Sequence, residues 1–222
     1  MGQSDQILRI LHDIGLRYIP FLFALCFHEY AHGLVAKLRG DNTAEMEGRL
    51  TLNPSAHMDF FGTFLLPILS IIFPSPIFFG WAKPVPVNTR NLKNPIKDMF
   101  WIALAGPLSN ILLAVAGAGG IWALNQLGGG FELKKTLIKI LMLFIQTNLF
   151  LAVFNLIPLH PLDGGKVLAR FLPKQLNYKL EQNEQISGIV LIILIFTGLI
   201  SFLAYPVFIM YTWLLLLAGV PL

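Results

Sequence analysis

The chain has 222 residues, 55% of them hydrophobic and only 13% charged, with a formal net charge of +4. So apolar a composition excludes an ordinary soluble domain and points to one integral membrane unit. Its Lys and Arg residues cluster between apolar runs, with no basic stripe interleaved with aromatics, so the charge bears on membrane orientation and not on nucleic acid.

Residues 1–16 have helical apolar spacing suited to an interfacial helix, and they lack the charged start and small-residue cleavage site of a removable signal peptide. Residues 17–38 are long enough to cross the hydrocarbon core. Within them His28-Glu29-x-x-His32 puts two imidazoles on one helical face, where both reach a single Zn2+ with Glu29 beside it as a base. Cys26, the single cysteine, excludes an intramolecular disulfide, sits off that face and reads as a packing residue.

Residues 40–98 change character. The alternation and β-branching around Glu47 to Asn53 predict a short β-hairpin. The apolar run 60–73 is too short for a span, and with Pro74, Pro76 and the second apolar piece 77–81 it predicts a re-entrant segment. If residues 60–81 return to their side of entry, eleven of the Lys and Arg residues share the side that follows the motif helix and five lie opposite, which favours a cytoplasmic location for that loop. Counting 60–81 as a true span gives nearly as good a split.

Longer helices are expected over 99–124, 137–157 and 186–203, with a C-terminal helix over 206–219 that either spans or lies in the interface. The predicted fold is thus an all-α polytopic membrane protein with five to six membrane helices. A catalytic zinc needs a third protein ligand, and the candidate is Asp163, which follows Pro158 and Pro161 at the end of an apolar run. Asp163-Gly164-Gly165 also reads as a surface turn in which Asp163 caps a helix. Asn110 and Asn155 lie in apolar runs, where an unpaired amide is costly. They either bond neighbouring helices or hold substrate and its oxyanion. His57 and His160 read as loop or interface histidines, or as groups orienting ligands.

Together, His28-Glu29-x-x-His32, Gly106-Pro107-Leu108-x-Asn110 and Asn155-x-x-Pro158 leading to Leu162-Asp163-Gly164-Gly165 resemble the signature of the site-2 proteases, the intramembrane zinc metalloproteases. The resemblance runs from about Leu22 to Leu172. It implies a three-helix catalytic core with one zinc held by His28, His32 and Asp163, Glu29 as base and Asn155 close to the scissile bond. It also implies a transmembrane protein substrate, and a metal inside the cell membrane nearer the cytoplasmic face. The stretch Gly80-Trp-Ala-Lys-Pro-Val-Pro-Val-Asn88 is similar to a compact subgroup without PDZ or nucleotide-sensing (CBS) domains. Two rival readings stand beside this one. In the first, a membrane peptidase takes its third ligand from Glu132, Glu181 or Glu184; in the second, a zinc-binding scaffold or metal transporter uses the same ligands without catalysis.

Overall fold

A computed structural model of the chain describes residues 3–72, 80–127 and 132–220. The first helix, α1 (Gln3–Leu38), is continuous, so the expected interfacial helix and the motif helix are one element. Its 36 residues rise about 54 Å, more than a hydrocarbon core requires. A short α2 (Thr43–Met46) follows.

Among the described residues there is no strand, and turns stand where the β-hairpin was expected. Gly48 takes a left-handed φ of 66°, which folds the N–H groups of Arg49 and Leu50 back onto Ala44 O. Asn53 then caps a 3-10 turn at Pro54–Ala56, accepting the Ser55 N–H. Local turn chemistry thus overrides the alternation of side chains.

A π-helical turn (Phe60–Leu65) runs into α3 (Leu66–Ile72), and this apolar helical piece is too short to cross a bilayer. The re-entrant expectation falls partly on residues 73–79, outside the described residues. The two ends of the segment nevertheless meet: Trp81 N–H donates to Gly62 O (3.0 Å), Lys83 N–H to His57 O (2.9 Å) and the Thr63 hydroxyl to Trp81 O (2.7 Å). Residues 80–88 continue as an extended strap.

Helix α4 (Pro95–Gln126) starts from a reciprocal cap, in which Asn94 accepts the Lys97 N–H and Asp98 accepts the Asn94 N–H. Helix α5 (Glu132–Asn155) returns antiparallel, and short helices α6 (Asp163–Ala169) and α7 (Lys174–Gln182) lead into α8 (Glu184–Phe196). The helix expected over 186–203 is broken. Gly198 adopts a left-handed φ of 74°, so α8 stops at Phe196 and a 3-10 turn (Leu199–Leu203) feeds α9 (Ala204–Leu217). Among the described residues, four helical stretches are long and apolar enough to cross a membrane: Leu11–Leu38, Pro95–Gln126, Glu132–Asn155 and Leu199–Leu217. Two shorter apolar helices, Phe60–Ile72 and Glu184–Ile195, stand beside them where five to six membrane helices were expected.

Helices α1, α4 and α5 pack on one another and carry the polar centre described below. Small residues let them approach: Ala24 of α1, beside the larger Phe21, meets Leu151 of α5, while Ala114 and Ala118 of α4 pack against Ile145 and Leu149 of α5. Helix α9 closes the outside of the α4–α5 pair through Val207 and Leu215.

The loops are tied by Asp41, which is fully buried just after α1. It accepts from Thr43 N–H and hydroxyl, from Asn88 N–H (2.7 Å) and from the Asn91 side-chain amide (2.8 Å), so it fixes the far end of the strap to α1. Burial pushes its carboxyl up, but these donors outweigh burial and hold it below the usual carboxylate value. A depressed folded value means that the stabilisation is complete above the unfolded value of about 3.9 and is lost as pH falls through the folded one. Asp41→Asn in detergent should therefore melt below the wild type at pH 7, by the equivalent of about 2 kcal/mol, and the gap should narrow below about pH 4. A gap that is constant with pH would show that Asp41 contributes no such term.

Candidate metal centre

The spacing of His28 and His32 along α1 brings their rings to 4.6 Å between centroids, nearly perpendicular. Each ring is held from behind. His28 Nδ1–H donates to Asn110 Oδ1 (2.6 Å), and His32 Nδ1–H donates to the backbone carbonyl of Ile102 (2.6 Å), both on α4. A carbonyl oxygen only accepts, so each Nδ1 carries a proton, and in the neutral ring the inward-facing Nε2 keeps its lone pair. Both lone pairs meet Asp163 Oδ2, at 3.1 Å from His28 and 3.2 Å from His32.

With both rings neutral these two nitrogens and the carboxylate oxygen are all acceptors, a set that calls for a cation among them. Donors on a tetrahedral Zn2+ with bonds of about 2.0–2.1 Å stand about 3.3 Å apart, so two imidazole nitrogens and a carboxylate oxygen at these distances fit the ion. Glu29 adds a further carboxylate, since donor atoms of His28, Glu29 and His32 all lie within 4.8 Å of one another.

The backbone around the centre is shaped for close approach. A Cβ on Gly106 of α4 would overlap Nε2 of both His32 and His28. The next residue, Pro107, supplies no N–H to its turn of helix. On the other side, a Cβ on Gly164 would overlap the carbonyls of Leu156 and Ile157, and one on Gly165 would crowd the His160 N–H at 2.9 Å. These glycines let α6 begin directly beneath the end of α5, which carries Asp163 inward.

Glu29 is held by the strap, where Val85 N–H donates to Glu29 Oε2 (2.8 Å). Pro84 and Pro86 have no N–H, so Val85 is the one donor in that triplet. Arg49 clamps the strap from outside, its Nη2 donating to Lys83 O (2.8 Å) and Pro84 O (3.2 Å). A cavity of about 560 Å³ opens between strap, α1, α5 and α6, lined by His28, Glu29, His32, Asn155, Asp163 and Lys166 among apolar neighbours such as Leu25, Val87 and Phe154.

The structure thus brings together His28, Glu29, His32, Asp163 and Asn155. Asn155 is half-buried at the end of α5, with its Nδ2 donating to Leu151 O (3.0 Å). Asn110 stands elsewhere. It is fully buried behind His28 and does not line the cavity; its Nδ2 donates to Ala24 O (3.2 Å) and Asn148 Oδ1 (2.9 Å), so both ends of the amide are spent on protein. His57 does not line the cavity either, and its Nε2 donates to Thr51 O (2.7 Å). His160 is buried outside the ligand group. Sequence reasoning passed over Asn148, although an amide in an apolar run is the signal that marked Asn110 and Asn155. Lys166 and the Val85 N–H carry no such signal.

A profile of Peptidase family M50 matches residues 118–200, a stretch that includes Asn155 and Asp163. The chain is 37% identical over 196 residues to the candidate zinc metalloprotease YwhC of Bacillus subtilis, an alignment covering 85% of this chain and 83% of that protein. It is 29% identical over 182 residues to Rip2 of Mycolicibacterium smegmatis, also named as a candidate zinc metalloprotease, covering 80% and 65%. It is 34% identical over 117 residues to stage IV sporulation protein FB of Bacillus subtilis, covering 46% and 35%. No solved structure matches the chain at a significant level.

The glycine geometry yields a paired test. Gly106→Ala should abolish zinc retention, because the added methyl occupies the space between the imidazoles. Gly119→Ala, on the same helix with nothing within 4 Å of the new methyl, should keep it. Equal metal content in the two variants would show that the close approach of α4 is unimportant.

Proposed function

Since this chain belongs to peptidase family M50, we propose that His28, His32 and Asp163 hold its zinc, with Glu29 as the general base of peptide hydrolysis. The protein is an intramembrane zinc metalloprotease of the site-2 type. The observation that carries the residue assignment is the meeting of two inward-facing Nε2 lone pairs with one oxygen of Asp163.

When bound, zinc supplies Lewis acidity, making water nucleophilic near neutral pH and polarising a carbonyl. Every other role falls to the chain. Glu29, with Oε2 occupied by Val85 N–H, takes the proton of the attacking water on Oε1 and delivers it to the departing amine nitrogen as the C–N bond breaks. Asn155, at the cavity wall, holds the backbone of the substrate beside the attacked carbonyl. Asn110 fixes the His28 ring and does not touch substrate.

The substrate is a transmembrane segment of another protein, locally unwound. Inside an intact helix each carbonyl is already hydrogen-bonded and shielded, so attack needs an extended stretch. The apolar cavity walls suit such a guest at membrane depth. His32 lies about 9 Å along the helix axis from Leu38, the end of α1 that leads to Arg39 and the basic loops. This supports a metal nearer the cytoplasmic face of the cell membrane.

Two measurements test the assignment. Detergent-purified wild type should contain about one zinc per chain, and His28→Ala and Asp163→Ala should each lose it. Glu29→Gln should keep zinc while cleavage of a membrane-protein substrate falls by about 10²–10⁴-fold. Zinc that survives Asp163→Ala, or cleavage by Glu29→Gln at the wild-type rate, would refute the corresponding role.

A further inference from the structure

Asn148 is fully buried in the middle of α5, outside the cavity and one helix away from the metal ligands. An amide at this depth is expensive unless satisfied, and every partner of Asn148 lies in a chain of bonds that ends on His28. Asn148 Nδ2–H donates to Phe144 O (2.9 Å), one turn back on its own helix. Its Oδ1 accepts from Asn110 Nδ2 (2.9 Å), which donates also to Ala24 O (3.2 Å). Asn110 Oδ1 is thereby turned toward His28 Nδ1 (2.6 Å).

Each amide in the series has one orientation that works. Rotating Asn148 by 180° would set its oxygen against Phe144 O and its NH2 against the NH2 of Asn110. Rotating Asn110 would set its oxygen against Ala24 O and Asn148 Oδ1, acceptor against acceptor, and present a donor to His28 Nδ1, forcing the ring proton onto Nε2. A protonated Nε2 has no lone pair for a metal.

We propose that Asn148 is a positioning residue for the metal centre: through Asn110 it fixes the tautomer and plane of His28, so that Nε2 faces the ion. The relay begins on a helical carbonyl of α5, crosses α4 and ends on α1. The inference rests on the ligand assignment made above and extends it to a residue that touches neither metal nor substrate.

Zinc affinity, measured by chelator competition on monodisperse detergent-purified protein, tests the proposal without any substrate. Asn148→Leu, close in volume but without polar atoms, should weaken zinc binding by about 10-fold, at the low end for partners that orient a metal-bound histidine. Leu149→Ala removes a fully buried side chain from the next position of α5 and leaves the relay intact, so it should stay within about 2-fold of wild type. Combining Asn148→Leu with Asn110→Leu should be no worse than Asn110→Leu alone, because the first residue acts only through the second.

Three results overturn the proposal: unchanged affinity in Asn148→Leu, equal weakening in Leu149→Ala, or losses that multiply in the double variant. If the leucine variant is not monodisperse, Asn148→Ala decides by the same criteria. Failure of the ligand assignment itself looks different, since the wild type would then hold no zinc or would keep it after Asp163→Ala.

Discussion

Two imidazole nitrogens and one carboxylate oxygen that converge on a single point set the terms for this molecule. His28 Nε2 and His32 Nε2 both point at Asp163 Oδ2, from 3.1 and 3.2 Å, at the wall of the cavity. Such a cluster persists only around positive charge. The helices are accordingly arranged to keep it assembled: α1 carries the imidazoles, α4 orients both from behind, and the junction of α5 with α6 delivers the carboxylate.

The close approach of α4 and α6 follows from the same demand. Gly106 allows a helix backbone to press on the inward-facing edges of two rings, and Gly164 lets a second helix start within contact of the carbonyls of Leu156 and Ile157, just past the end of α5. Pro107 directly follows Gly106, and Pro158 and Pro161 lie in the turn that leads to Gly164, so missing N–H groups and missing side chains occur in the same short stretches. Irregular backbone of this kind at membrane depth is sustained where protein encloses it, and here α1, α5 and the strap enclose it.

Much of this was legible in the sequence, because the decisive signals are local. The four-residue spacing of His28 and His32 fixes a shared helical face, and the need of zinc for a third ligand singles out Asp163 among few carboxylates in the later helices. What was not legible is tertiary or depends on one backbone angle. Hydropathy alone runs smoothly through residues 186–203, yet the left-handed Gly198 divides them. Alternation around Glu47 to Asn53 looks like a strand until Gly48 and Asn53 impose turns. Asn110 has two readings of equal standing in the sequence, and only its partners separate a residue that braces a histidine ring from one that lines the cavity. Asn148 carried the same mark as Asn110 and was passed over because its meaning lies wholly in another helix.

The prolines of the strap also shape what the cavity wall can offer a guest. Across residues 84–86 the chain has three carbonyls but one N–H, and that N–H is occupied by Glu29. The Pro84 carbonyl is likewise engaged, by Arg49. Extended though it is, the strap has no spare N–H over these three residues, so the two-way ladder that joins neighbouring strands cannot run along them.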